Sequence, residues 1–225
     1  MTSPTHFRDA TVFVLRVVLT LAALMLTLCG CSPMEIRDLD LKHRIVVSIP
    51  DQKMAVYQDG LQTALYDIST SKYGLGDEPG SYKTPLGKLI VAEKIGDGAP
   101  VGQVFKGRKP TREVLPVDSP GRDPIVTRIL WLRGVEDTNL RSYDRTIYIH
   151  GTPQERFIGK PVSYGCIRMR SRDIVELYNT VGKGAVVEIV QTHLIAPMLI
   201  PTRLAGAGST RTESEPPVGS GASKG

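Results

Sequence analysis

The chain has 225 residues, 41% of them hydrophobic and 23% charged, enough to bury the core of one globular domain. Phe, Tyr and Trp together make up only 6%, too few for an aromatic stacking surface, so nucleic acid is not an expected partner. The formal charge is +5 with no block of like charge, which favours attraction to an anionic matrix and little else.

Residues 1–30 read as separate from that domain. Arg8 and Arg16 precede "VVLTLAALMLTLCG", fourteen residues without charge, which matches the layout of a secretory signal. A permanent membrane span wants about 20 apolar residues, so this run is short for one. Its end, "LCGC", resembles a bacterial lipobox, in which cleavage precedes a cysteine already carrying lipid. On that resemblance residues 1–30 leave as a signal peptide and Cys31 becomes the acylated first residue. Each buried lipid methylene adds about 0.8 kcal/mol, so several acyl chains hold a protein firmly to a membrane. The alternative is an uncleaved anchor; either way the domain is expected outside the cytoplasm, beside a membrane. Ser32 in place of Asp, by resemblance to Gram-negative lipoproteins, favours the outer membrane and hence the periplasmic face of the envelope. Losing Arg8, Arg16 and Asp9 lowers the formal charge from +5 to +4. Residues 31–41 are expected to be a linker.

From Lys42 onward the pattern is that of strands. "RIVVSI", "KMAVYQDG" and "LQTALYDIST" alternate, and Asp59-Gly60 supplies a hairpin turn, predicting an opening β-meander. "TPLGKLIVAEK" predicts a further strand entered through a turn at Thr84, Pro85 and Gly87. Between Ile95 and Arg122 glycine, proline and charge dominate, and long loops or a flap are expected. "PIVTRILWL" is a strand with Trp131 in the core; "RTIYIH" is another, with Ile147 and Ile149 on one face, Tyr148 on the other and His150 at its end. After Cys166 a helix is expected, capped by Ser171, with Asp173 in the first turn and Ile174, Leu177, Tyr178 and Val181 as its apolar stripe. Gly182 and Gly184 end it, and "AVVEIV" returns as a strand. An extension over 192–225 follows, whose end "AGAGSTRTESEPPVGSGASKG" is poor in apolar groups and expected to be disordered from about 205.

Cysteine chemistry concentrates the functional question. With Cys31 lipidated, Cys166 stands alone in an oxidising compartment, either buried and inert or kept for its reactivity. His150 closes a strand, Gly151 lets the chain turn, and "GTPQERFIGKPVSYGC" returns to Cys166 sixteen positions after His150. Closing a loop of that size costs only a few kcal/mol, so thiol and imidazole can meet. A free thiol has a pKa near 8.5 and gains nucleophilicity from a base that takes its proton. No His, Cys or acidic cluster shows metal-ligand spacing, and "GLGDEPG" lacks the Lys and Ser/Thr of a phosphate loop, so neither metal nor cofactor is expected.

"HGT" followed by "SYGCIRM" resembles the signature of the L,D-transpeptidases, the YkuD-type family that remodels bacterial peptidoglycan; "GSYKTPLGKLIVAEK" and "RILWLRGVEDTN" fit it too. The resemblance implies a mainly β catalytic domain over 42–191, an L,D-transpeptidase-like β-sandwich with one helix following the active-site loop. It implies Cys166 as nucleophile and His150 as general base, with a backbone carbonyl at Gly151 or Thr152 orienting the imidazole. Backbone N–H groups around Gly165 and Cys166 would form an oxyanion hole, where a side chain at the glycine would obstruct the incoming carbonyl. Ser163 and Arg168 would support the loop or hold the peptide stem, and for Arg168 a structural salt bridge is the equal alternative. Tyr164 departs from the pattern, since many members carry His there. The implied partner is a peptidoglycan stem peptide, with a stem amine, water or a wall-anchored protein as acyl acceptor; the non-enzymatic alternative is a peptidoglycan-binding lipoprotein.

Overall fold

Alternating apolar residues set the first strands. In β1 (His43–Ser48) Ile45 and Val47 are fully buried, and Met54 and Val56 do the same for β2 (Lys53–Gln58). Each such side chain contributes about 1.5–3 kcal/mol of burial. Asp59 and Gly60 both have positive φ, 49° and 84°, so the chain reverses in two residues and β3 (Leu61–Asp67) returns antiparallel. The computed structural model describes residues 39–194; the signal expected over 1–30, Cys31 with its lipid, and the tail expected to be disordered from about 205 lie outside the described residues.

The meander is joined to the rest through the last strand. β10 (Val186–Val190) runs parallel to β1 and antiparallel to β4 (Gly87–Ile95), so it lies between them. β7 (Ile125–Gly134) pairs antiparallel with β4 on one side and with β8 (Tyr148–Gly151) on the other. β9 (Ile167–Met169) then runs parallel to β8. Beyond β3, Ser69 exchanges two backbone hydrogen bonds with Arg168 of β9, at 2.9 and 2.8 Å, so the ten-stranded sheet curls until its two ends nearly meet. One sheet thus supplies both walls of the expected sandwich. Between them pack Ile45, Leu89, Leu130, Ile149, Ile167 and Val187, each at most 1% exposed.

The single described helix, α1 (Ser171–Thr180), buries Ile174, Leu177 and Tyr178 against that core, as the apolar spacing predicts. Its cap differs from expectation. Ser171 is the first helical residue and makes no side-chain cap; its N–H instead donates to Glu155 Oε1 at 2.8 Å, from the loop before Cys166. The other end is held by Lys94, whose Nζ donates to the carbonyls of Tyr178 (2.6 Å) and Val181 (2.7 Å).

Three strands escape the sequence pattern. The stretch after Ile95 is not only loop: β5 (Gln103–Lys106) and β6 (Lys109–Val114) form a hairpin around Gly107 and Arg108, both with positive φ, attached to the start of β7. β9 is the third, a three-residue strand between Cys166 and the helix expected from Ser171.

Candidate active site

β8 and β9 carry the reactive groups because their side chains alternate. Ile147, Ile149, Ile167 and Met169 enter the core. Tyr148 and His150, and likewise Cys166 and Arg168, therefore project from the opposite face of the paired strands. The register sets Ile149 beside Ile167 and His150 beside Arg168, which leaves Cys166 diagonal to His150 on one face. Cys166 packs there with Tyr148, Trp131 and Phe105 in a second apolar cluster.

The loop that delivers Cys166 is fixed along its length to the segment following β3. Gly159 N–H donates to Ile68 O at 3.0 Å, Ser163 N–H to Thr70 O at 2.9 Å, and Lys72 N–H returns to Ser163 O at 3.2 Å. Ser163 is fully buried; its hydroxyl donates to Cys166 O at 2.6 Å and accepts the Gly165 N–H at 3.2 Å. Ser163 thus supports the loop, the role expected of it. Gly165 has φ +119°, and a Cβ there would stand 3.2 Å from Lys83 O and 3.5 Å from Tyr82 O. Its positive φ and the close neighbouring backbone therefore both favour glycine there. The N–H of Gly165 is thus engaged by Ser163.

His150 is 5% exposed, and its Nδ1 lies 2.8 Å from the carbonyl of Gly151. A carbonyl only accepts, so Nδ1 carries the proton and Nε2 keeps its lone pair. Burial, opposed by the Gly151 carbonyl and Asp123 and aided by the Arg168 charge, brings the imidazole pKa down to about 4. Cys166 moves the other way: burial raises its thiol above the ordinary range, against the Tyr148 N–H and the charges of Arg168 and Arg145. Its Sγ–H points to Thr146 O at 3.5 Å. At neutral pH the free site therefore holds a thiol and a neutral imidazole.

Arg168 follows the salt-bridge alternative. Its Nη1 lies 2.6 Å from Asp123 Oδ2, both side chains being 12–14% exposed, and Thr152 Oγ1 donates to the same carboxylate. Thr152 N–H donates to Met169 O, so it ties β8's exit to β9. Asp123 was missed by sequence reading, as was Arg145, which pairs with Asp77 at 2.8 Å and donates to Lys83 O at 2.7 Å. No local motif marks either, since their partners lie far away in the chain.

Cys166 opens into a cavity of about 300 Å³ shared with Tyr82, Arg145, Thr146 and Tyr164. A second cavity of about 410 Å³ lies on the Arg168 and Asp123 side, and Tyr164 lines it too. A roomier cleft, about 550 Å³, is between β3 and α1, but the paired charges of Lys53, Asp67 and Arg170 line it and no cysteine or histidine does.

Residues 42–189 match the family model described as the L,D-transpeptidase catalytic domain, YkuD. The chain is similar to the putative L,D-transpeptidase YqjB of Bacillus subtilis (strain 168), 49% identical over 150 residues, which cover 66% of this chain and 72% of that protein. It is also similar to the probable L,D-transpeptidase YcfS of Escherichia coli (strain K12), 28% identical over 156 residues, 68% of this chain but only 45% of that protein's length. Among solved structures, L,D-transpeptidase 3 from Mycobacterium tuberculosis aligns with a TM-score of 0.44 at 20% identity, over 66% of this chain and 61% of that one.

Proposed function

The chain belongs to the L,D-transpeptidase catalytic-domain family, and on that premise we propose that it is an acyltransferase acting on peptidoglycan stem peptides through a thioester on Cys166. The observation that carries the reading is the shared face of β8 and β9, with His150 held by the Gly151 carbonyl and Nε2 left to accept.

Cys166 attacks the carbonyl at the L centre of the third stem residue, a diamino acid. The S–H turns from Thr146 O to His150 Nε2 and gives up its proton there, and the Cys166 N–H stabilises the developing oxyanion. Collapse breaks the amide; the departing D-Ala amine takes the proton from His150, leaving a thioester. An acceptor amine from a neighbouring stem then loses its proton to His150 and attacks the thioester, freeing the thiol and forming a 3→3 cross-link. The thioester retains the energy of the amide, so no ATP enters. Arg168, Asp123 and Thr152 hold the strand ends that bear His150 and Cys166.

The same proposal takes residues 1–30 as the signal, Cys31 as the lipidated residue, and residues 42–191 as the catalytic domain, held at the periplasmic face of the outer membrane. The test is to incubate purified wall with the protein and with Cys166→Ala, digest it, and identify the fragments by mass. New cross-linked dimers support the proposal. Tripeptides would make water the acceptor, and protein-linked stems a protein amine. Equal turnover by Cys166→Ala would refute the nucleophile.

A further inference from the structure

Among the cations around Cys166, Arg108 is taken up by the Trp131 ring at 4.4 Å and the Tyr148 hydroxyl at 3.3 Å, and three others by carboxylates. Arg145 pairs with Asp77 at 2.8 Å, Arg168 with Asp123 at 2.6 Å, and Lys83 lies 3.8 Å from Glu78. Lys72 is different: among the described residues its ammonium meets no carboxylate. It is positioned by aromatic groups, donating to the Tyr164 hydroxyl at 3.2 Å and lying 4.5 Å from the Tyr164 ring centroid and 5.2 Å from that of Tyr73.

Those rings belong to a cluster of three tyrosines. Tyr73, Tyr82 and Tyr164 are about half exposed, yet their centroids are 5.6–5.9 Å apart. Their planes are inclined by 41°, 48° and 84°, so they hold one another and the lysine in place without offering the flat platform on which a sugar ring stacks. Tyr82 and Tyr164 line the cavity that holds Cys166. A cation fixed by π-faces and a phenol keeps its attraction for an anion, which one paired with a carboxylate has largely lost. The Tyr164 hydroxyl also keeps the Lys72 pKa above its ordinary value, so the charge is present throughout the working range.

We propose that Lys72, positioned by Tyr73 and Tyr164 at the rim of the Cys166 cavity, receives the free carboxylate of the residue that leaves the donor peptide, and so selects donors that end one residue beyond the scissile carbonyl. The inference rests on the acyl-transfer reading above. A donor amidated or extended at that residue has no carboxylate to offer there and loses the contact.

The experiment compares a tetrapeptide donor bearing a free C-terminal carboxylate with its C-terminal amide, for the unsubstituted protein, Lys72→Met and Lys72→Arg. The unsubstituted protein should prefer the acid by roughly fivefold in kcat/KM, expressed in KM, as befits an ion pair at a partly exposed site. Lys72→Met should reduce that preference to near unity, and Lys72→Arg should retain it. Tyr164→Phe, which keeps the ring and removes the hydroxyl, should reduce it in part. Lys72→Met retaining the full preference would overturn the inference while leaving acyl transfer intact. Absence of a thioester on Cys166 with either donor, read by intact mass, would overturn acyl transfer and this inference with it.

Discussion

His150 gives its Nδ1–H to the carbonyl of its own neighbour, Gly151, across 2.8 Å. The bond fixes the tautomer without a carboxylate, and so without the charge that would hold the imidazole protonated. With burial as the dominant influence, the ring stays neutral down to about pH 4.

The acid limb of kcat/KM should therefore fall near pH 4 rather than near 6.5, because imidazolium cannot accept the thiol proton. A pH–rate profile on a donor whose own charge is constant over that range checks this. A limb near 6.5 would mean that the base is solvated.

Stability should share that window. The folded imidazole has a pKa of about 4 and the unfolded one about 6.5, so between these values the unfolded chain binds more protons and stability falls as pH is lowered. The loss is at most about 3 kcal/mol, complete near pH 4. Denaturant unfolding across this range should show the slope, and His150→Gln should remove it.

Free Cys166 should alkylate slowly at neutral pH. Its pKa is raised by burial, so little thiolate exists until the medium is well alkaline. The rate of iodoacetamide addition, followed by intact mass, should climb with pH beyond the range of a model thiol. A plateau at pH 7 would contradict the raised value.

Asp123→Asn should destabilise the domain by about 3 kcal/mol, since it strands Arg168 in a site only 12% exposed. Adding Arg168→Met should recover part of that loss. A double-mutant cycle by thermal or denaturant unfolding gives the coupling, and strict additivity would show that the two residues do not act as a pair.

Lys94→Met should cost about 2 kcal/mol, because the carbonyls of Tyr178 and Val181 at the end of α1 lose their donor while the apolar stem is kept. Hydrogen exchange should show the loosening concentrated in the last turn of the helix.

Alternation made part of this legible in the sequence. Ile147 and Ile149 against Tyr148 and His150 is a pattern of period two, and it places the histidine on a defined face before any coordinates exist. The apolar stripe of α1 was equally readable. β6 was not, because "KPTREV" is polar on both faces and contains proline, and the strand exists through pairing with β5. β9 is three residues long, too short to display a period. The helix cap was misassigned because Glu155, distant in sequence, takes the place that local chemistry gives to Ser171. Asp123 and Arg145 carry no signal of their own: each matters through a partner brought close only when the sheet curls.

β10 lies between β1 and β4, with Ser48 registered against Val190 and Leu89 against Val187. Without it the meander would be joined to the strands that bear the thiol and imidazole only by the isolated Ser69–Arg168 pair and the loop bonds beside it. A polypeptide made from its N-terminus therefore cannot finish this sheet until its final strand has left the ribosome. The face that carries Cys166 and His150 is thus tied in through this ladder only once the domain has been synthesised through β10.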